Sequence, residues 1–354
     1  MPLSPQCDSI QIAMIRYSVL DLSPIVEGGT AAAAFRNTLD LARHAEEWGY
    51  HRFWLAEHHN LPGIASAATS VVIGYVAGGT KSIRVGAGGI MLPNHPPLVI
   101  AEQFGTLESL YPGRIDLGLG RAPGSDQVTA RALRRFLGSS GDTFPQDLQE
   151  LQSYFSGTRS DTDVKAVPGA GLSVPLYLLG SSDFSARLAA GLGLPFAFAS
   201  HFAPEYLHVA LELYRRDFKP SATLAQPHVI VGAGVYAADS DAEAHRLFTS
   251  AQLMTLNLIR GHPGELPPPV DSMEGYWSPM EERALRQRTR YSAVGSLQTV
   301  RQRLDAMIDA TAADEVIVVA QIQDHAARLR SFEIAAQAFR EIDAARSTAV
   351  SSRA

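Results

Sequence analysis

Residues 83–126, IRVGAGGIMLPNHPPLVIAEQFGTLESLYPGRIDLGLGRAPGSD, read as strand, turn, helix, strand, turn. Both strand signals end in glycine, at Gly88-Gly89 and at Gly118 and Gly120. A glycine at a strand end has no side chain to pack, so it marks a place where another backbone or a flat ligand comes close. One cation, Arg121, follows the second strand, and then a Pro-Gly turn and Asp126. A strand, a covering helix and a second strand make the repeating unit of a sheet whose outer face is helical.

The same alternation extends in both directions. Upstream, 10–20 is a strand candidate, and Thr30 caps a helix to about Trp48 on which Phe35, Leu39, Ala42 and Ala45 recur at helical spacing. Gly49 stops it, 51–56 is a strand ending in Glu57-His58-His59, and 66–79 is a small-residue helix. Helix 95–110 lies between the two strands of the opening stretch. Downstream, 126–155 is helical with a break near 138–144, and 156–173 is a polar excursion. Strands follow at 175–179, 195–200, 228–236 and 314–320, with helices at 184–192, 204–218, from Asp239 or Ser240 to about Arg260, from Gly295-Ser296 to about Ala310, and at 326–345. The tail STAVSSRA reads as frayed.

Eight strand signals alternating with helices give the count of an α/β (β/α)8 TIM barrel, one domain over 1–354. A doubly wound sheet would want G-x-G-x-x-G after its first strand, and LDLSPIVEGG does not supply it. Residues 261–291, GHPGELPPPVDSMEGYWSPMEE and its flanks, lose periodicity before the eighth strand. A segment of that length predicts a mobile lid or binding insertion, or else disorder, with Tyr276 and Trp277 either closing over an apolar substrate or packing the loop down.

Composition narrows the classes. The chain has 354 residues, 46% of them hydrophobic and 19% charged, enough for a large core. Its formal charge of −6, with basic residues scattered, argues against nucleic-acid binding. Cys7, the single cysteine, excludes an internal disulfide framework and a thiolate metal cluster. No apolar run reaches the ~18 residues of a membrane span, and MPLSPQCDS lacks the regions of a secretory signal, so the expected compartment is the cytoplasm.

In a barrel, function sits at the C-terminal strand ends, and the chemically useful residues concentrate there. His58 is the acid/base candidate; its alternative is a structural histidine. Neighbouring strand side chains face opposite ways, so His58 and His59 do not both enter the lumen, and no H-x-H or H-E-x-x-H spacing supports a metal. Gly88-Gly89 is either an unusual backbone at a site, even a non-proline cis bond, or an ordinary corner. Gly120 leaves room for a planar ring, and Arg121 can pair bidentately with a phosphate, with Arg131 as a possible assistant. Gly180, Ser181 and Ser182 before a helix form an anion site, or else cap that helix. His201 reads as a satisfied rim histidine.

At these residues the sequence resembles the bacterial luciferase-like flavin monooxygenases. The pieces are WLAEHH at 54–59, the run from Gly86 to Asp126, GSSDFSARLAAGLGLPFAFASHF at 180–202, and VGS with DEVIVVAQIQD between Val294 and Asp324. The last two pieces, with the GRAPG turn, are similar to the single-chain members rather than the light-emitting heterodimer. The resemblance implies reduced FMN supplied by a separate NAD(P)H-flavin reductase, O2 as co-substrate, a small organic substrate such as an aldehyde, ketone or secondary metabolite, and a homodimer. It carries the active-site histidine to His58, the glycine pair at the flavin face to Gly88-Gly89, and the phosphate contacts to Arg121, Ser181 and Ser182. The family's cysteine beside the ring is Gly120 here, a departure that speaks against thiol and light-emitting chemistry. Two rival readings remain on the same barrel, a deazaflavin-dependent hydride transferase and a flavin-binding protein without turnover.

Overall fold

The computed structural model describes residues 14–122, 127–133, 143–157 and 164–351. Its strands are β1 (Arg16–Asp21), β2 (Arg52–Leu55), β3 (Arg84–Met91), β4 (Ile115–Gly120), β5 (Leu176–Gly180), β6 (Phe196–Phe198), β7 (Val229–Ala237), β8 (Ser292–Gly295) and β9 (Glu315–Val319). Its helices are α1 (Ala31–Glu47), α2 (Thr69–Gly79), α3 (Pro97–Leu110), α4 (Gln127–Leu133), α5 (Phe144–Ser156), α6 (Asp183–Leu192), α7 (Leu207–Asp217), α8 (Asp241–Ile259), α9 (Pro279–Arg288), α10 (Leu297–Thr311) and α11 (His325–Ser351).

All strand pairings are parallel, from β1 through β7, from β7 to β9 and from β9 back to β1, which closes an eight-stranded barrel. The TIM-barrel expectation therefore holds. The strand count needs a correction: β8 is a ninth strand outside the ring. β7 is long enough to serve twice, pairing Ile230–Gly234 with β9 and Gly234–Ala237 with β8.

Alternation along each strand separates the two cores. Leu20, Trp54, Tyr177, Ala197, Ile230, Ile317 and Val319 cluster together and fill the lumen. Their neighbours Val19, Phe53, Leu178, Phe196, Val231 and Val318 belong to the larger cluster between strands and helices. The lumen floor is ionic. Arg52 lies between Asp116 (2.7 Å) and Glu315 (2.9 Å), with its guanidinium 4.8 Å from the Tyr177 ring centre and 5.3 Å from that of Trp54. Trp54 Nε1 also donates to Asp116 (3.1 Å), so the floor's polar groups are paired.

Three further expectations change. The stretch 261–291 is not structureless: Ser278 and Glu281 form a capping box that starts α9, and Leu285, Met273 and Leu256 make a satellite core with Trp277 packed against it. The closing helix runs to Ser351, through most of the tail read as frayed. Strand β1 begins at Arg16; positions 10–13, like Cys7, Pro123–Asp126, Arg134, Arg135 and the break near 138–142, lie outside the described residues. No helix among the described residues is long and apolar enough to cross a membrane.

Candidate active site

Because the barrel strands are parallel, their C-terminal ends share one face, and the site residues read from the sequence are distributed along it. Glu57 is the hub of its β2–β3 sector. It is 1% exposed, and its Oε1 accepts from Nε2 of both His59 and His95 at 2.8 Å, while Oε2 accepts from the Met91 amide at 3.1 Å. Burial raises the pKa of this carboxyl, but the bonds from His95, His59 and Met91 outweigh burial and hold it below its ordinary value. One carboxylate thus joins the ends of β2 and β3 and the turn before α3.

The donor atoms of Glu57, His59 and His95 lie within 4.8 Å of one another, a grouping that could hold a metal ion. The two 2.8 Å spacings are hydrogen-bond lengths, shorter than the roughly 3.3 Å between two ligands of a tetrahedral ion. The hub is a hydrogen-bonded one. The spacing rule that spoke against metal could not have found this group, since His95 joins it from 38 residues away.

His59 turns to Glu57, and His58 lies close enough to His201 for its charge to depress the pKa of that ring. The two adjacent histidines therefore serve different partners. His201 departs from expectation: its Nδ1 is buried and has no hydrogen-bond partner among the described residues, so it is not a satisfied rim residue.

The peptide between Gly88 and Gly89 is cis, and the β3–β4 register shifts there, between Ala87 and Ile90. A Cβ on Gly88 would lie 2.9 Å from Leu20 and Trp54, so this residue faces the lumen. A Cβ on Gly89 would lie 2.7 Å from the Gly118 carbonyl oxygen, and one on Gly118 would strike the Ala87 carbonyl. These two glycines let the strands approach each other. The room expected at Gly120 is taken by Met91, whose Sδ would be 2.9 Å from a Cβ there.

Arg121 projects from the end of β4 and places its guanidinium 4.1 Å from the centre of the Phe184 ring, in the first turn of α6. This contact brings the cation to the Ser181-Ser182 turn. Ser182 is the N-cap of α6 but makes no side-chain cap bond, which leaves its hydroxyl for another acceptor or donor. Gly180 has a packing reason, since a Cβ would meet Ser185 at 2.5 Å. Arg131 is exposed on α4, and among the described residues nothing joins it to Arg121.

A cleft of about 1010 Å³ opens at the opposite ends of the strands and includes Arg16, Glu46, His51, His228 and Asp343. Glu46 is occupied there with the amides of Lys81, Ser82 and Ile83. The convergence of histidines, arginine and glycines at the C-terminal face makes that face the candidate site.

A family model described as luciferase-like monooxygenase matches residues 15–336. The chain belongs to the luciferase-like monooxygenase family. A protein of Escherichia coli (strain K12) named luciferase-like monooxygenase is 57% identical over 321 residues, 91% of this chain and 96% of that protein. The N-acetyl-S-alkylcysteine monooxygenase of Bacillus subtilis (strain 168) is 39% identical over 255 residues, 70% of this chain and 75% of that one. Among solved structures, apo-MsnO8 superposes with a TM-score of 0.85 at 38% identity, covering 92% of this chain and 98% of its own.

Proposed function

We propose that the chain is a flavin-dependent monooxygenase that takes reduced FMN and O2 and oxidises a small organic substrate at the C-terminal mouth of the barrel. The observation that carries this reading is Arg121 stacked on Phe184 at the start of α6. A fixed cation, the positive end of a ten-residue helix and a serine hydroxyl not spent on capping together fit a phosphate. The sector between this anchor and His58 contains Gly88, Gly89 and Gly120, and the cover over Gly120 is the flexible end of Met91. Those residues would hold the ring, and the bound flavin would supply the two-electron chemistry with O2. The chain's own part is to bind, orient and exclude water. Arg121, Ser181 and Ser182 hold the phosphate. Trp54, Tyr177 and Leu20 fill the lumen below and keep it dry. His58 moves a proton to or from the substrate. The reading carries with it a separate NAD(P)H-flavin reductase and a homodimer.

The test is equilibrium titration with FMN, riboflavin and a deazaflavin. Arg121→Ala is expected to weaken FMN by about ten- to a hundredfold, the value of a charged hydrogen-bonded phosphate contact, and riboflavin hardly at all. Equal loss of both removes Arg121 from the phosphate. Preference for the deazaflavin moves the reading to hydride transfer.

A further inference from the structure

His201 follows β6 at the C-terminal face. Its predecessor Ser200 donates from Oγ to the Gly232 carbonyl at 2.6 Å and ties this turn to β7. Gly232 alternates with Val231 and Ala233, which face the outer core, and lies on the same side as lumen-facing Ile230. A Cβ on Gly232 would run into Nδ1 of His201. The imidazole therefore occupies the lumen space that a side chain at 232 would fill, above Ile230. Phe202 backs it edge-on, with ring centres 4.9 Å apart at 83°.

The two ring nitrogens differ. Nδ1 is sealed against β7 without a partner. An unpaired buried lone pair is tolerated more often than an unpaired buried N–H, so in the neutral ring the proton belongs on Nε2. Nε2 has no partner among the described residues and is not among the buried unpartnered atoms, so it reaches accessible space. Ile230, on the lumen side of β7 with Gly232, belongs to the apolar lumen cluster that also holds Ala197, Ile317 and Val319.

We propose that His201 donates a hydrogen bond from Nε2 to an oxygen atom of the apolar compound that fills the barrel mouth, and that position 232 is glycine so that the ring can lie there. This rests on the same site as the monooxygenase reading and adds a second histidine to His58. Burial, and after it the charge of His58, hold the pKa of His201 at about 4. His58 is the one titratable group among the described residues whose charge reaches it; Phe202, Ser200 and Gly232 supply none. The ring is then a neutral donor throughout the working pH range, as a histidine kept from protonating can be.

The experiment is nitrogen-15 NMR of the full chain labelled at histidine, with 2-decanone as the probe and FMN titrated separately. The His201 signals, identified by their loss in His201→Phe, are expected to show the neutral Nε2–H form from pH 5 to 8. The Nε2 resonance is expected to shift on adding 2-decanone. His201→Gln, which keeps a donor, should retain ketone binding, and His201→Phe should lose about three- to tenfold. A ring that takes up a proton between pH 5 and 8, a proton on Nδ1, or a His201 signal that ignores the ketone overturns the proposal. Failure to bind FMN with the His201 response intact overturns the flavin reading and leaves this one standing.

Discussion

At the scale of single residues, the barrel floor shows how a buried charge survives. Burial would raise the pKa of Glu315, but Arg52, then His228 and Ser18, outweigh it and hold it at about 2. A carboxyl depressed in the folded state contributes stability above its unfolded value, the ordinary 4.5, and loses it as pH falls toward 2. Stability measured by urea unfolding is therefore expected to be level from pH 7 to 5 as far as Glu315 is concerned, and to fall between 4.5 and 2. Removing Arg52 leaves Glu315 buried without its guanidinium, and Asp116 with Arg84 as its remaining guanidinium (2.6 Å). Arg52→Ala should cost about 3–5 kcal/mol at pH 7, with the gap to wild type narrowing as pH drops and the carboxyls protonate. A gap that stays constant down to pH 2 would mean that Arg52 acts through packing on Trp54 and Tyr177 alone.

Among elements, the β3–β4 seam decides which glycines are structural. A Cβ on Gly89 meets backbone of Gly118, which cannot yield, whereas one on Gly120 meets the end of the Met91 side chain, which can. Gly89→Ala is expected to cost about 1–3 kcal/mol in chemical denaturation and Gly120→Ala less than about 1 kcal/mol; equal costs would refute this account of the seam. The opening stretch was legible as strand, helix, strand because apolar runs bounded by glycines leave few alternatives, and the eight barrel strands followed from the same signal. Elements without an apolar pattern were not legible. Strand β8, Ser-Ala-Val-Gly, has no large apolar residue, whereas the equally short β2 and the shorter β6 carry aromatic ones. Helix α9 buries Leu285 alone and so has no hydrophobic period, although Ser278-Pro279-Met280-Glu281 carries the capping signature that could have located it. The site divides the same way. Local placement put His58, Arg121 and the serine turn at one end of the barrel. The Glu57–His59–His95 hub and the unpartnered His201 depend on contacts between strands, which spacing does not encode.

On the scale of the whole molecule, the insertion between β7 and β9 is fastened at its base, at its tip and, through Arg290 to Pro204 (2.8 Å) and Tyr291 to His208 (2.8 Å), at the start of α7. At its base, Asp241 Oδ1 accepts from the Ser296 amide (2.5 Å) and from Thr299 (3.0 Å), joining the start of α8 to the start of α10. At its tip, Leu266 is fully buried and pairs with the loop after β1: its amide donates to Ile25 (2.8 Å) and its carbonyl accepts from Glu27 (3.0 Å). Between them, the Val270 amide is bound within the insertion itself, to Thr249 Oγ1 at 2.8 Å. A lid that opens as one body about its base would break the tip contacts and keep the internal one. Amide hydrogen exchange should then show Leu266 and Glu27 exchanging at a common rate, with Val270 markedly slower. Leu266→Ala removes the buried side chain of the tip and should speed exchange at Glu27 at least about tenfold while leaving Val270 unchanged. If Val270 instead exchanges as fast as Leu266 in the wild type, the insertion unravels rather than swings, and access to the barrel mouth is governed by local unfolding of 261–278.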